Sequence, residues 1–289
     1  MSPRVPDLSV VILTLNEEAN LPAALAAVTG WCAEVLILDS GSTDRTLDVA
    51  REYKAKVFHR DFDDYSSQRR HALRELPFST PWLFILDADE YPTGELKDEI
   101  ARVLPTTDKD AFFIKRRFHF MGRWIRRGYY PTWLLRLGRC DCLDLDGRAV
   151  NEHYVCTTGR TGRLEHDFVD ENRKGLSEWV AKHNRYSTLE ARALLEDAPG
   201  GGRLWGSQRE RTTWLVRNAW RRMPPLVRPV LYFLYRYVLR GGFLDGRQAL
   251  VYHLLHALVF RTIVDCKYLE MKWKERGSVS YSKDGPSPR

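Results

Sequence analysis

Three acidic residues stand directly after a short apolar run in the first third of the chain. The run Trp82–Leu86 is followed by Asp87, Asp89 and Glu90. A continuous apolar run of this length is typical of a strand that is buried on both faces of a sheet. Carboxylates this close repel one another, and a divalent cation that also binds phosphate oxygens would relieve that repulsion. The pattern therefore predicts either a metal-diphosphate site at a strand end or a solvated acidic turn.

Two earlier apolar runs end in polar residues in the same way. Leu8–Leu13 leads into Thr14–Glu17, and Val35–Leu38 leads into Asp39–Asp44. Helical patterns separate these runs, so alternating strands and helices are expected over roughly the first 90 residues, with a parallel sheet covered on both faces. Ligands on such sheets collect at the carboxyl ends of the strands. The three polar segments are therefore expected along one edge of the sheet.

The pattern changes in the second third of the chain. Gly122–Gly128 is a predicted loop rich in arginine and aromatic residues, and His166–Glu171 is a predicted acidic loop. The segment 198–202, which contains three consecutive glycines, is predicted to be a linker. Apolar and helical periodicity predicts four further elements: a helix at 93–104, strands at 111–118 and 133–137, and an amphipathic helix at 175–195.

Composition places the chain among folded proteins with a substantial core. Its 289 residues are 44% apolar, enough for one large α/β domain and an appendage. The five cysteines show no zinc-site spacing and are predicted to be reduced thiols in a cytosolic setting. The apolar run Leu8–Leu15 is too short for a signal peptide and is followed by acidic residues, so none is expected.

The positive charge of the chain is concentrated near its C-terminus. Residues 203–276 contain 15 Arg and Lys against 5 Asp and Glu, a net charge of +10 within a chain of net charge +7. Basic helices with large aromatic residues are typical of segments that lie in a membrane interface. The alternative is an ordinary helical hairpin packed on the first domain. The longest uncharged run, Gln248–Phe260, is shorter than the roughly 20 residues of a spanning helix, so a spanning helix is not expected. The sequence contains no known nucleic-acid-binding motif, so a nucleic-acid partner is not expected either.

Three motifs in order resemble those of glycosyltransferase family 2, the inverting nucleotide-sugar transferases. They are Ser9–Glu17, Leu38–Asp44 and Leu86–Glu90, each at the end of a predicted strand. Later features, from Arg136 to the segment Gly242–Gly246, resemble the bacterial branch that builds lipopolysaccharide core, capsule and other surface glycans. The resemblance implies a GT-A, Rossmann-like α/β fold with a mostly parallel sheet flanked by helices. The basic amphipathic helices then form a C-terminal extension.

These patterns divide the chain into three expected regions. Residues 1–197 form the nucleotide-sugar transferase domain, and 203–276 form a helical extension that associates with a membrane. Residues 277–289 are expected to be a disordered tail.

The resemblance also implies roles for the residues at the predicted sheet edge. Asp89 would bind Mg²⁺ or Mn²⁺, and Asp87 would bind the metal or the ribose. Arg69, or Gln68 beside it, would reach the nucleotide or its phosphates, unless it is only an exposed helix charge. The remaining donor-site residues would line the nucleotide pocket, with Asp39 accepting from the base, expected to be uracil: Thr14, Asn16, Glu17, Asp39 and Ser40, the last standing where many relatives have a second Asp.

An inverting displacement also needs a general base that takes the proton from the acceptor hydroxyl. The candidate carboxylates are Glu152, Asp167, Asp170 and Glu171. Glu152 is favoured because it lies in a short apolar-flanked segment where the base of the family usually falls, and Asp170 is the second choice. Two arginines, Arg136 and Arg185, are further candidates for binding an acceptor or donor phosphate, although surface ion pairing explains each nearly as well.

The resemblance implies a metal-dependent hexosyltransferase that uses a nucleotide-diphosphate sugar, expected to be a UDP-sugar. The acceptor would be a lipid-linked glycan in lipopolysaccharide or surface polysaccharide synthesis, at the cytoplasmic face of the inner membrane. Transfer to a polyprenyl phosphate is the nearest alternative. A non-catalytic nucleotide- or membrane-binding scaffold is an alternative of another class, and the intact acidic trio argues against it.

Overall fold

A computed structural model of the chain describes residues 2–146, 153–195, 205, 211, 213–215 and 218–277. The chain divides into two units, Met1–Gly175 and Leu176–Arg289. The boundary falls at the start of the helix at 175–195, so this helix belongs to the second unit and not to the first. The predicted linker at 198–202 and the predicted tail from 278 onward lie outside the described residues.

The first unit alternates helices and strands in its first half and consists mainly of strands in its second. Its helices are α1 (Leu21–Val28), α2 (Thr46–Glu52), α3 (Tyr65–Arg74) and α4 (Gly94–Val103). Its strands are β1 (Val5–Thr14), β2 (Cys32–Asp39), β3 (Lys56–His59), β4 (Trp82–Asp87), β5 (Glu90–Pro92), β6 (Ala111–Phe120), β7 (Arg123–Trp124), β8 (Thr132–Arg139), β9 (Leu143–Leu145), β10 (Tyr154–Cys156) and β11 (Thr161–Glu171). The main sheet has the order β3-β2-β1-β4-β8-β6-β11-β5, with β7 paired to β6, while β9 pairs with β10.

Strands β1 to β4 are parallel to one another because each connection between them passes through a helix. In β1, β2 and β4 the apolar side chains Val10, Ile12, Leu36 and Leu86 have no exposed surface. Burial on both faces explains why these strands are continuous apolar runs in the sequence. The predicted βαβαβαβ order and the mostly parallel sheet flanked by helices are confirmed.

The prediction of an acidic loop at 166–171 was wrong. These residues form the end of strand β11, which pairs with β6 on one side and with β5 on the other. Phe168 and Val169 are buried in the sheet. The acidic residues of the strand are accommodated because Arg116 and Arg117 on β6 pair with Asp170 and Asp167.

The second unit is helical in the residues that the structure describes. Its elements are α5 (Gly175–Leu195), a 3₁₀ turn (Trp220–Arg222), α6 (Val227–Phe233) continued by a π-helical segment (Leu234–Leu239), a 3₁₀ turn (Gly242–Asp245) and α7 (Arg247–Glu275). The helix at 175–195 was predicted with these bounds. An ion pair between Arg228 and Asp265, both buried, joins α6 to α7.

Helix α7 is longer than its uncharged run suggested. It has 29 residues and a mean hydropathy of 1.4 in its most apolar window of 18 residues, of which 39% is buried. By length and composition alone it could cross a membrane, although the core helix of a soluble protein passes the same test. All five cysteines of the chain are free thiols.

Candidate active site

The three polar segments of the sequence meet at the carboxyl ends of β1, β2 and β4. Thr14 at the end of β1 is the register partner of Asp39 at the end of β2. On the other side of β1, Leu13 is the register partner of Asp87 at the end of β4. The prediction that these segments share one sheet edge is confirmed.

Asp39 is buried and its carboxylate accepts hydrogen bonds from four groups of the protein. Oδ1 accepts from the Thr14 hydroxyl at 2.8 Å and from the Ser42 hydroxyl at 2.5 Å. Oδ2 accepts from the backbone N–H groups of Gly41 at 2.9 Å and Ser42 at 2.8 Å. Because a carboxylate has about four lone-pair sites, Asp39 is committed to shaping the loop after β2. Contact of Asp39 with a nucleotide base remains a prediction.

Asn16 ties the loop after β1 to the loop after β2. Its backbone has φ +55°, in the left-handed region that asparagine adopts more readily than most residues. The Asn16 side chain accepts from the backbone N–H of Thr43 at 2.8 Å, and the Asn16 N–H donates to the Ser42 hydroxyl at 2.8 Å. Ser42 and Thr43 therefore hold the loop and do not cap α2, which begins at Thr46 after Arg45 without a side-chain cap.

Glu17 is partly buried between two parts of the first unit. Its Oε1 accepts from Lys174 Nζ at 2.6 Å, and its Oε2 accepts from the Asn20 amide at 2.7 Å. Burial raises the pKa of Glu17, while Lys174 and Asn20 oppose that rise. The residue therefore anchors the segment after β11 to the loop after β1. Lys174 could not be recognised from the sequence, because residues 166–171 were predicted to be a loop and the end of β11 was not apparent.

Asp87 lies within a cluster of charged side chains. Arg136 Nη2 donates to Asp87 Oδ2 at 2.8 Å and to Glu90 Oε1 at 2.5 Å. The Arg69 guanidinium lies 3.9 Å from Asp87 Oδ1. Complete burial raises the pKa of Glu90, and the guanidinium of Arg136 opposes this. Burial lowers the pKa of Arg136, but Glu90 and Asp87 outweigh it and leave that pKa raised.

Asp89 differs from Asp87 because its carboxylate faces fewer groups of the protein. The Asn172 amide donates to Asp89 Oδ2 at 3.3 Å, and the backbone carbonyl of Asp89 accepts from the Glu171 N–H at 2.9 Å. In the part of the chain that the structure describes, Asp89 has no ion-pair partner. It is half-buried and therefore remains open to a cationic ligand.

The donor set fits a hard divalent cation that brings other ligands with it. Asp87 and Asp89 supply carboxylate oxygens, which Mg²⁺ and Mn²⁺ prefer. No group of three or more His, Cys, Asp or Glu side chains that could hold a metal occurs among the described residues. A cation at this edge would therefore take most of its coordination shell from phosphate oxygens and water.

Three of the four candidate general bases lie on β11: Asp167, Asp170 and Glu171. Asp170 on β11 is the register partner of Glu90, and its Oδ2 lies 3.1 Å from Arg116 Nη1. Asp167 is buried and accepts from Tyr130 and Arg117, so it is already satisfied within the sheet. Glu152 lies outside the described residues.

Glu171 lies at the same edge as Asp170 but is held by other side chains. Its Oε2 accepts from Arg173 at 2.7 Å and from the Tyr91 hydroxyl at 3.2 Å. Among the candidates that the structure describes, Asp170 is therefore the one whose register partner belongs to the charged cluster.

Three other candidates have structural partners. The Gln68 side chain is buried and donates to the Ser40 hydroxyl at 2.5 Å and to the Arg60 carbonyl at 3.0 Å, so it holds the loop after β2. Arg136 is buried, which makes it a partner of Glu90 and Asp87 rather than a surface cation. Arg185 lies in the second unit, is 64% exposed and pairs with Glu178 at 3.6 Å.

Comparison with known proteins agrees with these observations. The family model of Glycosyl transferase family 2 matches residues 9–165, more than half of the chain. The lipopolysaccharide core biosynthesis glycosyltransferase LpsC of Rhizobium meliloti is 29% identical over 92% of this chain and 98% of its own length. The uncharacterized glycosyltransferase RT0209 of Rickettsia typhi is 29% identical over 57% of this chain and 53% of its own length.

Two solved structures are also similar. Residues 1–349 of TarS from S. aureus match with a TM-score of 0.46 and 15% identity, over 96% of this chain and 94% of that one. Glucosyl-3-phosphoglycerate synthase from Mycobacterium tuberculosis, in complex with Mn²⁺, UDP and glucosyl-3-phosphoglycerate, matches with a TM-score of 0.44 and 18% identity, over 68% and 83%. On the family model and the motif geometry, the chain is a glycosyltransferase that belongs to glycosyl transferase family 2.

Proposed function

We propose that the chain is an inverting glycosyltransferase that moves a sugar from a UDP-sugar to a lipid-linked glycan acceptor. The acceptor belongs to lipopolysaccharide core or another bacterial surface polysaccharide. The observation that carries the proposal is the convergence of Asn16, Asp39 and Asp87-Ala88-Asp89 at one sheet edge. The likeness to LpsC over nearly the whole of both chains supports the assignment to lipopolysaccharide core.

In this proposal Asp89, together with Asp87, holds a Mg²⁺ or Mn²⁺ ion. Such an ion supplies Lewis-acid stabilisation of the negative charge that develops on the leaving nucleoside diphosphate. The chain adds its own positive charge at the same edge. Arg69 lies beside Asp87 and its planar guanidinium is suited to phosphate oxygens, so it is the residue proposed to bind the diphosphate.

The loops after β1 and β2 are proposed to form the nucleotide pocket. The two loops are joined by hydrogen bonds of Asn16 with Ser42 and Thr43. The Asp39 carboxylate stabilises the loop after β2 by accepting from its backbone. Gln68 supports that loop through Ser40. A pocket with so many internal hydrogen bonds is preorganised, which reduces the entropy lost when a nucleotide binds.

Glu152 is proposed to be the general base, with Asp170 as the second candidate. An inverting transfer needs a carboxylate that can receive the proton of the attacking hydroxyl. Asp170 already shares its Oδ2 with the guanidinium of Arg116, so one of its oxygens is committed to an ion pair. That commitment favours a positioning role for Asp170 and leaves proton transfer to Glu152.

The second unit is proposed to bind the cytoplasmic face of the inner membrane as a peripheral anchor. Large apolar side chains project into solvent from α6 and its π-helical continuation. They recur at helical spacing, so they form one stripe, and each is 45–49% exposed: Val227, Val230, Leu231, Leu234 and Val238. Arg236 lies in the same segment and Arg240 directly follows it. Cations near an apolar stripe favour an anionic lipid surface.

A panel of nucleotide sugars incubated with the purified full chain tests the catalytic proposal. Release of the nucleoside diphosphate is measured with and without rough lipopolysaccharide as acceptor. We expect turnover of a UDP-sugar that rises when acceptor is present. Nuclear magnetic resonance of the product should show an anomeric configuration opposite to that of the donor. Absence of turnover with every donor, or a retained configuration, contradicts the proposal.

A further inference from the structure

The arginine-rich segment after β6 forms a tight hairpin rather than an open loop. Phe120 on β6 pairs with Arg123 on β7, and only Met121 and Gly122 lie between them. Both turn residues have positive φ, +50° and +73°, as in the two-residue turns that match the natural twist of a hairpin. Such a turn fixes the direction in which the side chains of β7 point.

The Trp124 ring holds two guanidinium groups. Arg117 lies 4.3 Å from the ring centroid and Arg126 lies 4.4 Å from it. Between Trp124 and Arg126, the side chain of Ile125 is fully buried and its N–H donates to the Phe118 carbonyl at 2.9 Å. The backbone that carries Arg126 is therefore anchored, and its guanidinium is held in place by cation–π attraction.

Among the residues that the structure describes, two cations in and directly after this hairpin have no carboxylate partner. Arg117 is paired with Asp167, and Arg116 is paired with Asp170. Arg123 and Arg126 are exposed, and no carboxylate of the described residues pairs with either of them. A guanidinium stacked on an aromatic face keeps its in-plane N–H donors available, and these match the geometry of a phosphate or carboxylate.

The hairpin lies in the same part of the sheet as the proposed metal ligand. The Asp89 carbonyl accepts from Glu171, Glu171 is the register partner of His119, and His119 is the register partner of Trp124. Three neighbouring strand positions therefore separate Asp89 from Trp124, a distance of roughly 15 Å at the usual strand spacing. If the donor diphosphate binds at Asp89 as proposed, Arg123 and Arg126 lie far enough from it to contact a different part of the substrates, which we take to be the acceptor.

We propose that Arg126, held against Trp124, binds an oxyanion of the acceptor glycan, and that Arg123 on the same hairpin strengthens the attraction through its charge. These two arginines are called the clamp. The group is a phosphate or a carboxylate on a sugar of the acceptor, and the clamp selects anionic glycans over neutral ones. This inference rests on the proposed function, because it assigns part of the acceptor site. It adds the requirement that the acceptor glycan carry a negative charge, which does not follow from the residues of the proposed donor site.

Direct titration of the full chain tests the clamp without requiring turnover. The probe is the deacylated core oligosaccharide of rough lipopolysaccharide, used intact, after phosphatase treatment and after reduction of its carboxyl groups. The variants are Arg123→Gln, Arg126→Gln and the double variant. Arg102→Gln, an exposed arginine of α4, is the charge-matched control.

The wild-type chain and the Arg102→Gln control should bind the intact oligosaccharide equally. Arg126→Gln should weaken that binding about tenfold, the usual effect of losing a charge-assisted hydrogen-bonded pair, and the double variant should weaken it further. Loss of affinity after phosphatase treatment identifies phosphate as the group, and loss after reduction identifies carboxylate.

Equal binding of intact, dephosphorylated and reduced oligosaccharide overturns the clamp, as does unchanged affinity in the double variant. Failure of the wild-type chain to bind the intact oligosaccharide overturns it as well. If the clamp variants bind glycan normally while a UDP-sugar is turned over, the clamp fails and the proposed function stands. If glycan binding depends on the clamp but no donor is turned over, the clamp stands and the proposed function fails.

Discussion

Arg136 donates to Glu90 at 2.5 Å in an ion pair whose side chains are only 7% and 2% exposed. The same Nη2 also reaches Asp87, so one guanidinium joins β8 to both ends of the turn that carries the acidic motif. Glu90 in turn accepts from the Asp87 backbone N–H at 3.0 Å. The pair therefore fixes the position of the motif from inside the sheet, and Asp89 takes no part in it.

Breaking this pair on one side should be more damaging than removing both charges. Arg136→Met leaves the carboxylate of Glu90 buried without its partner, which costs about 3–5 kcal/mol of unfolding free energy. The double variant Arg136→Met/Glu90→Gln removes that uncompensated charge and should recover a large part of the loss. Urea unfolding of both variants measures the difference. A single variant as stable as the wild type, or a double variant less stable than the single one, contradicts this interpretation.

The two candidate bases should respond differently to amide substitution. Glu152→Gln should lower kcat by about 10²–10⁴-fold, since it removes the proton acceptor, and should leave the affinity for UDP unchanged. Asp170→Asn removes the ion pair with Arg116 and should act mainly on the KM for acceptor. Steady-state kinetics separate the two effects. A large fall in kcat confined to Asp170→Asn would exchange the two roles.

The meeting of three polar segments at one edge of the sheet could be predicted from the sequence, because parallel strands leave little choice of register. Leu8–Leu13, Val35–Leu38 and Trp82–Leu86 are apolar on both faces, so each must lie in the interior of the sheet. Polar residues that follow such strands necessarily gather at one edge. The site therefore follows from hydrophobic pattern and connection length, without knowledge of individual contacts.

The second half of the first unit is harder to predict, because the contacts of its side chains depend on strand order and on charge pairing. Strand β8 enters the sheet antiparallel to β4, which brings Arg136 to Glu90 across 46 residues of sequence. The hydrophobic periodicity of the sequence does not indicate that β8 lies next to β4. Only the second half of β11, residues 166–171, was predicted to be a loop. Its acids, Asp167 and Asp170, mask the alternation, and their arginine partners belong to another strand.

Membrane binding of the second unit should depend on its exposed apolar stripe. The variant Leu234→Glu/Val238→Glu puts two charges on the stripe and should weaken binding to phosphatidylglycerol-containing vesicles more than tenfold, because each buried aliphatic side chain contributes about 1.5–3 kcal/mol. Val180→Glu, at an exposed site of α5, is the control. Vesicle sedimentation measures both. Wild-type binding should also weaken with salt. Equal binding of the stripe variant and the control would exclude the stripe as the contact.

The second unit should lose stability on mild acidification because it holds two histidines in neutral form. Burial lowers the pKa of His183 to about 4 and that of His253 to about 4. His183 stacks on Trp179 with ring centroids 3.5 Å apart, and Arg236 further lowers the pKa of His253. In the unfolded chain both histidines bind protons near pH 6.5. The unfolded state therefore gains protons first, and stability is lost as the pH falls from about 6.5 to about 4.

Thermal unfolding between pH 7.5 and pH 4 measures this effect. Tm should fall across the lower part of that range, and His183→Gln should make the dependence shallower. A Tm that stays constant or rises on acidification would show that neither histidine is kept neutral by folding.

Asp89 is proposed to face a divalent cation that is bound together with the donor diphosphate. Isothermal titration of UDP into the full chain, with Mn²⁺ and then with a chelator, tests it most directly. Asp98→Asn, at an exposed carboxylate of α4, is the matched control for Asp89→Asn. We expect Mn²⁺ to strengthen UDP binding in the wild type and in Asp98→Asn but not in Asp89→Asn. An equal effect of Mn²⁺ in Asp89→Asn and in the wild type would contradict it.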